Sequence, residues 1–201
     1  MTEIKRAQPD YPIDDLIADR WSPYVFDSRP VAAHDLKALF EAARWAPSSF
    51  NEQPWRYIVA SKEDPEEYGR LLSCLLEGNQ AWAKNAPVLA LGVVSLLFDR
   101  NSKPNGTAQH DLGLATGTLL VEATKRGLSV HQMAGILPDR AIELYNIPAN
   151  FQVLTGIAIG YRGKPEAGDE KLAERDRAPR TRRAVTEFVF SGSWGQSFDP
   201  S

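Results

Sequence analysis

Apolar positions along the chain switch repeatedly between a helical and a strand rhythm. A short helical pattern occupies 12–19. From His34 onward, Leu36, Leu39, Phe40 and Ala43 fall on one helical face until Pro47 stops the run. Trp55–Ala60 reads as a strand. Asp64-Pro65 is an N-cap followed by proline at the first helical position, which opens a helix through Leu76 that Gly78-Asn79 ends. Val88–Ser95 is almost unbroken in apolar residues and predicts a central strand covered on both faces. After a polar loop over 99–107, a long helix runs from Ala108 to Lys125. Leu128–Met133 reads as a short strand, 138–145 as a helix and Val153–Tyr161 as a further strand. From Gly163 to Pro179 the chain is charged and aperiodic, which predicts a surface arm. Val185–Phe190 is apolar again and is a candidate last strand.

Interleaved helices and strands predict an α+β sandwich with helices on both faces of a small sheet. Nothing divides the 201 residues, so one domain is expected over 1–201. An arm that leaves this domain and ends in a strand-like run points to exchange between protomers. The middle of the long helix is small: Gly113, Ala115, Thr116, Gly117 and Thr118. That permits a close approach either to its own sheet or to a second subunit.

Charge narrows the partners. With 23 basic against 26 acidic residues the net charge is −3, which gives no field for nucleic acid or an anionic membrane. The single Cys74 excludes an intramolecular disulfide framework and fits a reducing compartment. Met1–Asp10 is polar and unlike a signal peptide, and the apolar run from Pro87 to Phe98 is too short to span a bilayer. A cytoplasmic protein is expected.

The most informative stretch is residues 45–60. Pro47 and Pro54 stiffen a turn loaded with neutral hydrogen-bonding groups, Ser48, Ser49, Asn51 and Gln53. Such a turn suits a flat heterocycle with carbonyls and ring nitrogens. It does not suit a metal, which would want His, Cys or carboxylate, or a bare phosphate, which would want Gly and Lys. Arg20-Trp21-Ser22 and Arg180-Thr181-Arg182-Arg183 form a second constellation. If both are extended, Arg20 and Ser22 point one way, as do Arg180 and Arg182, and a guanidinium fork grips phosphate well. The alternative for 175–183 is a solvated basic run. In the third constellation, residues 129–136, Gly135 lets the backbone approach a ring and offer an N–H; the alternative is an ordinary loop glycine, and His131 reads as a packed histidine. Gly113–Gly117 lies inside a helical pattern and is no dinucleotide fingerprint. The sequence holds no His-Glu-x-x-His, paired-Cys or Ser/His/Asp order, so no metal and no catalytic triad is expected. Phe50 and Trp82 are candidate aromatic walls of a substrate space.

Taken in order, these segments resemble the nitroreductase family of FMN-dependent oxidoreductases. The match runs from Arg20-Trp-Ser22 through Ala46-Pro-Ser-Ser-Phe-Asn-Glu-Gln-Pro-Trp55, then Asn79 ahead of Asn85-Ala-Pro87. It continues through the small-residue helix and Met133-Ala-Gly135 to Arg180-Thr-Arg182 and 185–190. The resemblance implies a small, mostly antiparallel sheet flanked by helices, in a homodimer whose 165–201 arms reach the partner subunit. It implies FMN with its phosphate at Arg20, Ser22, Arg180 and Arg182, and Trp21 also among the cofactor-binding residues. Pro47, Ser48, Ser49, Asn51 and Gln53 would line the isoalloxazine, largely from the partner, and Asn79 would reach the pyrimidine edge. The Gly135 N–H would sit near flavin N5, with Met133 and Ala134 against one face. The implied reaction is ping-pong two-electron transfer from NAD(P)H through N5 to a nitroaromatic, quinone or related small-molecule acceptor, with no catalytic side chain. A specialised flavin dehydrogenase or dehalogenase, or a non-catalytic flavin-binding module, is the alternative. Two positions depart from the family pattern. Tyr24 stands where Arg or Lys is common, with Lys84 as a substitute cation, and Ala134 stands where relatives carry Gly or an acid.

Overall fold

The computed structural model describes residues 5–198. Its centre is an antiparallel four-stranded sheet in the order β1 (Trp55–Ser61), β2 (Val88–Ser95), β4 (Phe151–Gly160), β3 (Ser129–Met133). All eight residues of β2 are buried, as its unbroken apolar pattern predicts. Its side chains alternate between two cores. Val88, Ala90 and Val94 join Val130, Ile157 and Ile159 beneath α2 (Ala33–Arg44) and α5 (Ala108–Lys125). Leu89, Leu91 and Val93 join Met133, Val153 and Ala158 beneath α3 (Pro65–Leu72), α4 (Glu77–Ala83) and α6 (Pro138–Tyr145). The β2–β4 register slips between Gly92 and Val93, a bulge at the one β2 position without a side chain. A Cβ on Gly92 would lie 2.8 Å from the Thr155 methyl, so no larger residue fits without a shift.

Most sequence-predicted elements stand within two residues of their expected bounds, including α2, α5 and α6, and α1 (Asp15–Asp19) starts three residues late. Three others differ more. The helix begun at Asp64 ends at Leu72, and Gly78 and Asn79 lie inside a second helix rather than past the end of the first. Tertiary pairing causes the break. Leu75 forms an isolated bridge with Ile136, and the Leu76 N–H donates to the Gly135 carbonyl at 3.1 Å. The segment 163–179 contains α7 (Glu170–Arg177), capped by the Asp169 carboxylate on the Lys171 N–H. Its buried face holds Ala173 and Asp176, and a buried acid hides a helical period. Residues 185–190 are not a sheet strand. They form a 3-10 turn at Val185–Glu187, and Phe190 makes one bridge to Ser197. Val185 and Phe188 stay exposed, as does Trp194 beyond them at 93%.

Helix α5 divides its small residues between two tasks. Ala115 and Thr116 are buried on the sheet, where the Thr116 hydroxyl bonds the Tyr57 hydroxyl at 2.9 Å. Gly113, Leu114, Gly117, Thr118 and Val121 instead line an open groove of about 450 Å³ with Ala42 of α2. No helix among the described residues is long and apolar enough to cross a membrane.

The buried Asp176 carboxylate ties α7 to the segment after α1. It accepts from the backbone N–H groups of Tyr24 at 3.0 Å and Val25 at 2.9 Å. Asp176→Ala leaves both donors without their acceptor, and stability is expected to fall by about 1–3 kcal/mol. The urea unfolding midpoint reads this; an unchanged midpoint would show that water replaces the carboxylate without loss.

Candidate functional site

Arg20 is the C-cap of α1, and extended backbone carries it into Trp21 and Ser22. Its Nη1 donates to the Ser22 hydroxyl at 3.3 Å. Arg180 comes to the same place from beyond α7, its Nη1 donating to the carbonyls of Lys5 at 3.0 Å and Ala18 at 2.8 Å. Arg182 is exposed beside them. Burial, then the charges of Arg180 and Arg182, lowers the Arg20 guanidinium from its usual value, and burial and Arg182 do the same to Arg180. Among the described residues no carboxylate pairs with any of the three. Three cations gathered without a counter-charge repel one another, and an anion relieves that repulsion. The Trp21 indole lies between the Lys5 ammonium and the Arg162 guanidinium, its buried N–H without an acceptor among the described residues.

A second group sits where α4 meets the end of β3. The Asn79 amide donates to the Gly135 carbonyl at 2.9 Å, and that oxygen also accepts from Leu76. A Cβ on Gly135 would fall 2.5 Å from the Asn79 amide nitrogen, so the lock requires glycine. The Gly135 N–H donates to no group among the described residues and remains available. Ala134 is exposed next to it.

An aromatic knot joins these two groups. Tyr24 lies two residues after Ser22, Trp82 three after Asn79, and His131 two before Met133. The His131 ring sits 4.5 Å from Trp82 and 4.7 Å from Tyr24, and Tyr24 meets Trp82 edge-on at 5.2 Å. His131 Nδ1 lies 2.8 Å from the Pro23 carbonyl, which makes Nδ1 the protonated nitrogen. Three sequence-distant segments are thereby held in one arrangement.

The turn at 48–53 is built differently. Phe50, Asn51 and Gln53 all have positive φ, 54°, 56° and 51°. Such conformations cost about 1–3 kcal/mol each and persist only where surroundings impose them. Here the Ser48 hydroxyl accepts from the Gln53 N–H at 3.0 Å, the Gln53 amide bonds the Asn51 carbonyl, and the Ser49 N–H donates to the buried Asp111 carboxylate of α5 at 3.1 Å. Pro47 is exposed at its start. No hydrogen bond among the described residues joins this turn to Arg20, Asn79 or Gly135.

The structure therefore assembles Arg20, Ser22, Arg180 and Arg182 at one place and Asn79 with Gly135 at another. One sequence candidate is corrected. Trp82 is 3% exposed and packs in the core rather than walling an open space, and Met133 lies in the same core at the end of β3. Tyr24 is absorbed in the knot, with the Arg175 guanidinium 5.1 Å over its ring, and Lys84 is exposed at the end of α4. Asp111, Asp176 and the tie made by His131 were not legible in the sequence. A buried acid in a charged run carries no local signal, and the partners lie 62 or more residues away.

Known proteins resemble this chain over most of its length. A profile described as Nitroreductase family matches residues 17–161. A solved structure described as an oxidoreductase containing FMN is 38% identical, with a TM-score of 0.90 and coverage of 98% of this chain and 100% of that one. An uncharacterised 15.4 kDa protein in the ask 5′ region of Mycolicibacterium smegmatis is 38% identical over 146 residues, 70% of this chain and 97% of that protein. The FMN reductase (NAD(P)H) of Bacillus subtilis strain 168 is 27% identical over 175 residues, 79% of this chain and 69% of that protein.

The knot predicts a pH dependence. Burial pushes the His131 imidazole below 6.5, and Arg20 adds to that, against the Pro23 carbonyl and Asp176. The unfolded chain therefore takes up a proton near pH 6.5 that the folded imidazole refuses until the pH is lower. Stability should rise with pH across the window just below 6.5 and level off above it. His131→Gln should flatten that slope when urea midpoints at about pH 5 and about pH 7.5 are compared. Equal slopes would show that His131 does not titrate with folding.

Proposed function

The chain belongs to the nitroreductase family, and from that premise we propose that it is an FMN-dependent oxidoreductase. It takes two electrons from NAD(P)H and passes them to nitroaromatic, quinone or related electron-poor acceptors by a ping-pong route. The observation that carries this reading is the uncompensated cluster of Arg20, Arg180 and Arg182, knotted to a glycine whose N–H is unspent.

The residues present fit FMN. A phosphate monoester supplies the negative charge that the arginines lack, and the Ser22 hydroxyl adds a hydrogen-bonding partner. At the other end, the close Asn79–Gly135 lock leaves backbone exposed with no side chain in the way. When bound, FMN supplies reversible two-electron chemistry at N5, which explains why no side chain here is placed as an acid, base or nucleophile. Arg20, Arg180 and Arg182 hold the phosphate, the Gly135 N–H offers a donor to the ring, and Asn79 keeps that backbone in place. Because Trp82 and Met133 are buried, the exposed Ala134 and Phe50 meet the acceptor.

The functional unit in this reading is a homodimer. The groove between α2 and α5, with glycines at 113 and 117 and exposed Leu114 and Val121, suits close approach of a second copy. The partner's 48–53 turn then lines the ring that its own protomer does not reach. The exposed apolar residues of the 165–201 arm are covered by the partner in the same assembly. A cytoplasmic setting fits the lone, fully buried Cys74.

Purified protein should be yellow, and anaerobic NADH or NADPH should bleach the flavin band; lasting yellow colour would leave only a flavin-binding module. Arg20→Ala and Arg182→Ala should each weaken FMN binding by about 1.5–3 kcal/mol, read by fluorescence titration of the apoprotein. Full flavin retention and unchanged affinity in both variants would remove the phosphate assignment.

A further inference from the structure

The strained turn carries an aromatic ring that is largely bare. Phe50 is 72% exposed, and its backbone is held at φ 54°. Phe98 meets its edge, with centroids 5.9 Å apart at 82°. The Arg100 guanidinium lies over the Phe50 ring, its Cζ 4.0 Å from the centroid, and 5.1 Å from that of Phe98. The cation is held there by its backbone. The Asp99 N–H donates to the Glu52 carboxylate of the turn, and the Phe98 N–H and carbonyl bond Lys103 and Ser102 within the 99–107 loop. Asp99 is its neighbour in the chain and Glu52 accepts from the Asp99 N–H, yet Arg100 makes no ion pair and donates no hydrogen bond among the described residues. A guanidinium set against aromatic faces keeps its N–H donors directed away from the rings. The chain thus presents an exposed ring with the guanidinium over one face and the other face open, and an unspent two-pronged donor on the adjoining loop, at the turn that the reading above gives to the redox site.

We propose that Phe50 and Arg100 form a recognition site for an aromatic ligand bearing an anionic group, a carboxylate or a phosphate. Phe50 stacks on the ligand ring and Arg100 binds the anion through paired N–H groups. This rests on the FMN-dependent reading above and narrows its substrate class. Two sources offer that chemistry: a carboxylated nitroaromatic acceptor, and the phosphates of the reduced dinucleotide.

Arg100→Gln and Arg100→Lys separate them. Each variant, loaded with FMN, is assayed with nitrobenzene and 4-nitrobenzoate as acceptors, and its reductive half-reaction is followed with NADH and NADPH. Arg100→Gln should lower kcat/KM for 4-nitrobenzoate about tenfold relative to nitrobenzene if the acceptor carries the anion. If the dinucleotide carries it, the same loss falls on the reductive half-reaction and the two acceptors keep their ratio. Arg100→Lys, charged but without the fork, should recover only part of the loss. An unchanged acceptor ratio together with an unchanged reductive half-reaction, or one common factor across all four substrates, in a protein that binds FMN and is bleached, would overturn this site and leave the redox reading standing. A protein that takes up no FMN, or is not bleached, would overturn that reading and this site with it.

Discussion

Complete burial of β2 is the constraint on which the molecule depends. A strand whose eight residues are all removed from water needs a neighbour on each edge and a covering layer on each face. β1 and β4 supply the edges, α2 and α5 one face, and α3, α4 and α6 the other. Once both faces are occupied, chemistry is confined to the rims. The arginines, the Asn79–Gly135 lock and the strained turn all stand where elements end, on backbone that the double core holds rigid.

Two kinds of unfavourable free energy are kept at those rims. One is electrostatic, three guanidinium groups drawn together with no acid paired to them among the described residues. The other is conformational, three side-chain-bearing residues at positive φ within four positions. Both survive because buried carboxylates outside the arginine cluster restrain the backbone, Asp176 behind the arginine segment and Asp111 behind the turn. In the proposed reading an anion relieves the first and a flat ring uses the second. A site kept in its working geometry before the ligand arrives loses less on binding than one that must be ordered.

The aromatic knot shows why distance in sequence is a poor guide to coupling. Tyr24, Trp82 and His131 sit at short fixed offsets from Ser22, Asn79 and Met133, so fixing three rings fixes three stretches of backbone. In the sequence, Trp82 and Phe50 are both candidate aromatic walls. The structure uses Trp82 inward, and the exposed ring is Phe50.

Period, capping and composition alone determined the elements of the sheet, both long helices and the α+β class, because an apolar repeat of two or of 3.6 leaves few ways to bury itself. Motif order alone marked Arg20, Ser22, Asn79, Gly135 and the 48–53 turn, since glycine, amide and guanidinium groups carry their chemistry wherever they fold. The break between α3 and α4, the helix inside 163–179 and the fate of 185–190 were decided only in three dimensions. The first two turn on long-range contacts, Leu75 with Ile136 and Asp176 with Tyr24 and Val25, and the third on the lack of one, since Phe190 bridges only to nearby Ser197 among the described residues. The pairing of Arg100 with Phe50 belongs there too, because local pattern reports what a residue prefers, and only packing reports what it meets.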